Sequence, residues 1–308
     1  MSALLSAAVL RPELMARVVG GLGNQLFIYA AARQLAITSR AELILDVDFF
    51  RSDRRYGRHY RLGALRIAPH ALRRHTWLPP AFDRHRLRAE HMAGRFGLLP
   101  GWDAIIERTP NVFQPEVLDA RVRRRTRFDG YWQDERYFAD LREPLLHELQ
   151  PVAAVGERNR AFSEELRGND WIGIHCRRQH AVLADGTPVA VRGRPVLPES
   201  YYVRALELLR VSGPLTGVVL FGDQPLWLLE CIPASLPAVV VDWNDQPGGE
   251  VLDLWLMTRC RRMVISNSTL SWWGGWIGDA AGRQVVAPQP KDLAYWVRSA
   301  AGWMEVDW

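Results

Sequence analysis

The chain has 308 residues, and at roughly 150 residues per domain that length favours two domains over one. Apolar residues make up 48% and charged residues 24%, the balance of an ordinary folded protein, which excludes collagen-like, disulfide-scaffold and wholly disordered chains. The net charge of +5 is unevenly spread: residues 1–150 carry 24 basic and 17 acidic groups, residues 151–308 carry 15 and 17. Lys291 is the single lysine among 39 basic residues, so the arginine excess reads as a compositional bias and no nucleic-acid partner is expected.

Cys176, Cys231 and Cys260 form no Cys-x-x-Cys pair and no Cys/His spacing of the zinc kind, so neither a disulfide framework nor a metal centre is indicated, and a reducing cytoplasm fits. Ala3 to Leu10 is apolar apart from Ser6 but has no basic residue ahead of it and falls short of the ~20 residues a membrane span needs. No signal peptide or anchor is expected, and any membrane contact would be peripheral. Residues 1–15, ending on a second methionine, read as an N-terminal extension.

In chain order, Ala16 to Val19 reads as a strand, Gly20-Gly-Leu-Gly as a break, and Asn24 to Ile37 as a helix by its apolar spacing. Leu43 to Leu45 is the next strand, which makes a Rossmann-like opening. Residues 51–100 show no periodicity and read as helices and loops capping a cleft, and Arg123-Arg-Arg reads as a solvated helix face. The end of a helix at 139–151, closed by Pro151, reads as the linker. Strands then follow at Trp171–His175, Gly217–Phe221, Ala238–Val241, Met263–Ile265 and Gln284–Ala287, with helices at 198–209, 248–260 and 271–280.

Three segments at strand ends carry chemistry. Gly20-Gly-Leu-Gly-Asn-Gln is either a plain tight turn or a cradle in which backbone and a helix N-terminus meet a diphosphate; it is not a P-loop, since no Gly-Lys-Ser/Thr follows. His175-Cys-Arg-Arg places His175, Arg177 and Arg178 at the end of a buried strand, where guanidinium forks match phosphate oxygens. Asn267-Ser-Thr-Leu-Ser-Trp-Trp offers Asn267, Ser268 and Thr269 as helix caps or anion ligands, with Trp272, Trp273 and Trp276 docking the helix onto its sheet. Gly130-Tyr-Trp-Gln and Phe221-Gly-Asp are lesser signals. Asp46-Val-Asp48 is too short a pattern to establish a cation site.

These five segments, in this order, resemble the α-1,2-fucosyltransferase family, glycosyltransferase family 11, over most of residues 17–290. The resemblance implies a GT-B-like α/β architecture of two Rossmann-like domains facing a cleft. Residues 16–152 would form the acceptor side and 153–308 the nucleotide-sugar side. It also implies an inverting, metal-independent transfer of L-fucose from GDP-fucose, in α-1,2 linkage, to a galactose-type glycan acceptor, with no cofactor beyond that co-substrate. By similarity Arg177 holds the β-phosphate, Arg178 completes the basic motif, and Ser268, Thr269 and the turn containing Gly21, Gly23 and Asn24 share the diphosphate. His175 and Asp253 would address the nucleoside, and Asn267 opens the third motif.

The chain departs from the family pattern His-x-Arg-Arg-Gly-Asp at Gln179 and His180, and the expected aspartate pair after Phe221 is reduced to Asp223. His180 is read either as a replacement catalytic base, for which an imidazole suits near neutral pH, or as a loop histidine facing water. The same departure leaves two alternatives open: a different nucleotide sugar, or a degenerate glycan-binding relative.

Overall fold

In the computed structural model, residues 11–53, 55–68, 70–73, 103–178, 181–183, 187–189, 195–278, 282–291 and 297–308 are described. The first strand, β1, spans Glu13–Arg17, earlier than the sequence reading of Ala16 to Val19. Leu14 and Met15 are the reason: both are buried, and they pair with Leu43 and Ile44. Residues 13–15, expected as part of an extension, therefore belong to the sheet. Gly20 follows at φ +79°, a left-handed conformation that glycine takes without strain, and the chain enters α1, Leu22–Ser39.

Strand β2 (Glu42–Asp46), the single helical turn α2 (Phe49–Ser52), β3 (Ala71–Arg73), β4 (Asp103–Ile106) and β5 (Arg125–Asp129) complete the first half. The five strands are parallel in the order β3-β2-β1-β5-β4. Arg123-Arg-Arg is not a helix face: it leads into β5, where Arg127 is buried and its charge is met by Asp129 at 3.4 Å. The helix expected at 139–151 is shorter. Two 3-10 turns at Glu135–Tyr137 and Ala139–Leu141 precede α3, Arg142–Glu148.

The second half opens with α4 (Glu157–Gly168) and β6 (Trp171–Cys176), every residue of which is buried. A small antiparallel pair, β7 (Ala181–Val182) with β8 (Pro188–Val189), lies outside the main sheet. Then come α5 (Glu199–Arg210), β9 (Gly217–Gly222), β10 (Ala238–Val240), α6 (Glu250–Met257), β11 (Arg262–Val264), α7 (Thr269–Trp276), β12 (Gln284–Pro288) and β13 (Met304–Val306). The sheet runs β10-β9-β6-β11-β12-β13, all parallel.

Each strand order reverses once. In the first sheet the chain builds outward from β1 through β2 and β3, and β5 then takes the other side of β1. In the second, β9 and β10 extend one side of β6, and β11, β12 and β13 the other. Ligands of open parallel sheets bind in the crevice at the C-terminal strand ends beside such a reversal. The turns leaving β1, β5, β6 and β11 are the segments the sequence singled out.

The tryptophans of α7 dock between the halves, beyond their own sheet. Trp272 and Trp273 pack on Phe27 of α1 with ring centroids 4.7 and 5.1 Å away, and Phe138 stacks on Trp273 at 5.3 Å. Trp273 Nε1 donates to the Gly23 carbonyl at 3.1 Å. Buried aromatic pairs contribute about 0.5–1.5 kcal/mol each beyond their burial, so this cluster welds α1 to α7 and sets how the two sheets face each other. No helix of the described residues is long and apolar enough to cross a membrane.

Candidate active site between the two sheets

The N-termini of α1 and α7 meet across a cleft of about 360 Å³. Gly23 permits the approach: a Cβ there would lie 2.4 Å from Leu270 N and 2.5 Å from Thr269 Oγ1. Neither helix has a side-chain N-cap hydrogen bond or an acidic residue in its first turn. Two positive dipole ends are thus left uncompensated at one place, an arrangement that favours an anion. Asn267, Ser268 and Thr269 line the cleft, and no side chain makes a cap hydrogen bond to α7 among the described residues. Asn267 Nδ2 donates to Pro195 O at 2.8 Å, and the turn is instead fixed by Ser266 N donating to Ser271 Oγ at 2.9 Å.

From the first half, Gly21, Gly23 and Asn24 line the cleft, and Asn24 Oδ1 accepts from Gln133 Nε2 at 2.9 Å. The Gly130-Tyr-Trp-Gln segment thereby supports the glycine turn from the neighbouring strand end. Gln25 lies beneath and is fully buried. Its Nε2 donates to Gly20 O and His59 O at 2.9 and 2.8 Å, and its Oε1 accepts from Arg61 N at 2.8 Å. That one side chain anchors Gly57–Arg61, a loop within the 51–100 segment expected to cap a cleft but in which no site residue was named, and its Arg58, His59 and Arg61 line the cleft. Arg61 Nε reaches across to Glu250 Oε1 at 2.8 Å.

From the second half, His175 and Arg177 line the cleft. His175 Nδ1 is 3.2 Å from Ser266 Oγ. Burial pushes the imidazole down to about 4, against the pull of Asp223, so it is neutral near pH 7 and serves as a hydrogen-bonding group. Arg177 Nη1 stands 3.6 Å from Asp223 Oδ2. Burial lowers its pKa and Asp223 raises it. Cys176 between them is buried and its thiol is pushed up to about 12, mainly by that burial, so it is no nucleophile.

Two expected site residues lie elsewhere. Arg178 stacks over Trp227 at 3.8 Å, its Nε donates to Gln224 Oε1 at 3.1 Å and its backbone N–H to Asp223 Oδ1 at 2.9 Å. Successive residues leaving a strand point to opposite sides, so Arg177 takes the cleft and Arg178 does not. Asp253 is likewise absent from the cleft wall. It accepts from Asn244 Nδ2 at 2.9 Å, and burial raises it to about 7. Among the described residues, Glu250, one turn earlier on α6, is the acidic residue that faces the cleft. Asp46 and Asp48 are buried, with Asp48 N donating to Asp46 Oδ1 at 3.2 Å, and neither reaches the cleft. Gln179 and His180 lie outside the described residues.

Among known proteins, the chain is 24% identical to the alpha-1,2-colitosyltransferase of Escherichia coli, over 90% of this chain and 91% of that one. It is 26% identical to the O-antigen biosynthesis glycosyltransferase WbnK of Escherichia coli, over 88% and 92%. With the galactoside 2-alpha-L-fucosyltransferase SEC1 of Bos taurus the identity is also 26%, over 57% and 52%. Two solved structures share the fold. The NodZ alpha-1,6-fucosyltransferase soaked with GDP-fucose superposes with TM-score 0.51 at 15% identity, over 87% of this chain and 93% of that one. A mutant of Arabidopsis thaliana FUT1 in complex with GDP gives 0.54 at 11%, over 92% and 71%. The sequence profile of glycosyl transferase family 11 matches residues 124–300, a span that holds β5, β6 and both second-half motifs. The chain belongs to glycosyl transferase family 11, and it is a glycosyltransferase of two Rossmann-like domains.

Proposed function

We propose that the protein transfers L-fucose from GDP-fucose, in α-1,2 linkage and with inversion, to a galactose-type acceptor. The observation that carries the reading is the convergence of Arg177 with the uncapped N-termini of α1 and α7 in one cleft. In such a transfer the acceptor hydroxyl attacks the anomeric carbon, giving its proton to a general base, as the bond to the diphosphate oxygen breaks. The electron pair stays on the phosphate, and fixed positive charge is most useful where that charge develops. Arg177, with the backbone N–H groups near Gly23 and Thr269, stands in position to receive it. Because these groups are themselves cationic or dipolar, the transfer is expected to survive EDTA.

The colitosyltransferase similarity, spread over nine-tenths of both chains, favours a second reading in which the transferred sugar is colitose, still in α-1,2 linkage. Incubation with GDP-fucose or GDP-colitose and a β-galactoside, with the product linkage read by NMR, tests both. Formation of an α-1,2-fucosyl galactoside supports the first reading. Turnover with GDP-colitose alone replaces it by the second, and no GDP release from either donor refutes both.

A further inference from the structure

Arg58 differs from the other guanidinium groups of the cleft. Arg61 is paired with Glu250 and Arg177 with Asp223, whereas the Arg58 side chain makes no ion pair or hydrogen bond among the described residues. Its backbone is nonetheless tightly held. Arg58 N donates to Asp53 Oδ2 at 3.2 Å, and the next carbonyl, His59 O, accepts from buried Gln25. The guanidinium lies over the glycine turn, its Nη1 3.6 Å from where a Cβ on Gly21 would stand. It is also close enough to Arg177, on the opposite half, for its charge to help lower the pKa of that residue.

Two like charges therefore face each other from opposite halves, beside two helix N-termini without side-chain caps, and among the described residues only Arg177 has a carboxylate partner. Bringing them together costs energy that a doubly charged anion between them removes. A diphosphate offers one phosphate to each guanidinium fork. We infer that Arg58 is a ligand of the donor diphosphate supplied by the acceptor-side half, so that the diphosphate bridges the two halves while the Arg61–Glu250 pair holds the loop beside it. This rests on the nucleotide-sugar reading above and adds to it a binding residue outside the three motifs.

The test measures binding of GDP, GMP, UDP and inorganic pyrophosphate by calorimetry to the wild type, Arg58→Ala and Arg58→Lys, with thermal melting as the folding control. Arg58→Ala is expected to weaken GDP about ten- to a hundredfold, the worth of one charge-assisted contact. GMP should change by less than about threefold, since Arg177 suffices for one phosphate, and Arg58→Lys should recover part of the GDP affinity. Hydrogen exchange at residues 57–61 should slow on adding GDP to the wild type and not to Arg58→Ala. A folded Arg58→Ala that binds GDP within about twofold of wild type overturns the assignment. Should the wild type bind UDP or pyrophosphate but not GDP, the guanosine donor falls, and loss of that binding in Arg58→Ala keeps Arg58 as the diphosphate ligand. If no diphosphate binds the wild type, both readings fail.

Discussion

Gln25 and Arg61 stand 36 residues apart, and the Gln25 amide oxygen accepts the Arg61 backbone N–H at 2.8 Å while the same amide donates to the carbonyls of Gly20 and His59. A fully buried glutamine thus joins the glycine turn to the loop that carries Arg58 and Arg61. Leaving buried backbone groups unpaired costs about 1–3 kcal/mol each.

Gln25→Ala should therefore lower the stability by at least about 2 kcal/mol and release the loop from the cleft. Urea denaturation together with GDP binding checks this. A variant as stable as wild type would show that the three hydrogen bonds do not hold the loop.

Gly23→Ala tests the meeting of α1 and α7. Its Cβ would stand 2.4 Å from Leu270 N, and backbone at that distance must move. The expected result is a protein with a lowered melting temperature and GDP binding reduced by more than about tenfold. Gly168→Ala, where a Cβ meets nothing within 4 Å, should leave GDP binding at the wild-type level. Equal GDP affinity for Gly23→Ala and wild type would refute the close approach.

The glycine turn, the strand ends at His175 and Asn267, strands β1 and β2 of the first sheet and β6, β9, β10, β11 and β12 of the second were legible because apolar runs and their glycine breaks leave a pattern in the sequence. The loop Gly57–Arg61 left none: it is rich in Arg, His and Gly and is fixed by a partner far away in the chain. The available signal was Gln25, a polar residue on a helix face whose neighbours Leu26 and Phe27 are core. Strand β5 was hidden by its charges, since Arg127 is buried only because Asp129 accompanies it. Arg178 and Asp253 show the opposite failure. Their chemistry suits the site, but strand alternation turns the first away, and the first turn of α6 presents Glu250 in place of the second.

Asp253 should give stability a pH dependence of known sign. Burial raises it from 3.8 to about 7, so between those values the folded state holds more protons than the unfolded state, and its contribution is lost as pH rises through that window. Asp253→Asn keeps an oxygen for Asn244 and does not titrate. Buried His175, lowered to about 4, contributes the opposite slope in both proteins and cancels in their difference. The wild type should lose denaturation midpoint relative to Asp253→Asn between about pH 4 and about pH 8, and a constant difference would contradict the raised value.

Neutral His175 also bears on the catalytic base. An acid limb in kcat/KM near an apparent pKa of about 6.5 cannot come from a histidine held near 4. If His180 is the base, His180→Ala should lose about a hundredfold in rate and flatten that limb. An unchanged pH profile in His180→Ala removes that residue from the reaction.

The claim on which the rest depends is that Arg177 receives the charge of a departing nucleoside diphosphate, and the turnover number of Arg177→Ala with GDP-fucose and a β-galactoside tests it most directly. Arg177→Ala should fold, with a melting temperature near that of wild type, and lose more than about a hundredfold in kcat, with Arg177→Lys between the two. A folded Arg177→Ala that keeps more than about a tenth of the wild-type kcat, a loss below ~1.4 kcal/mol, would contradict the account.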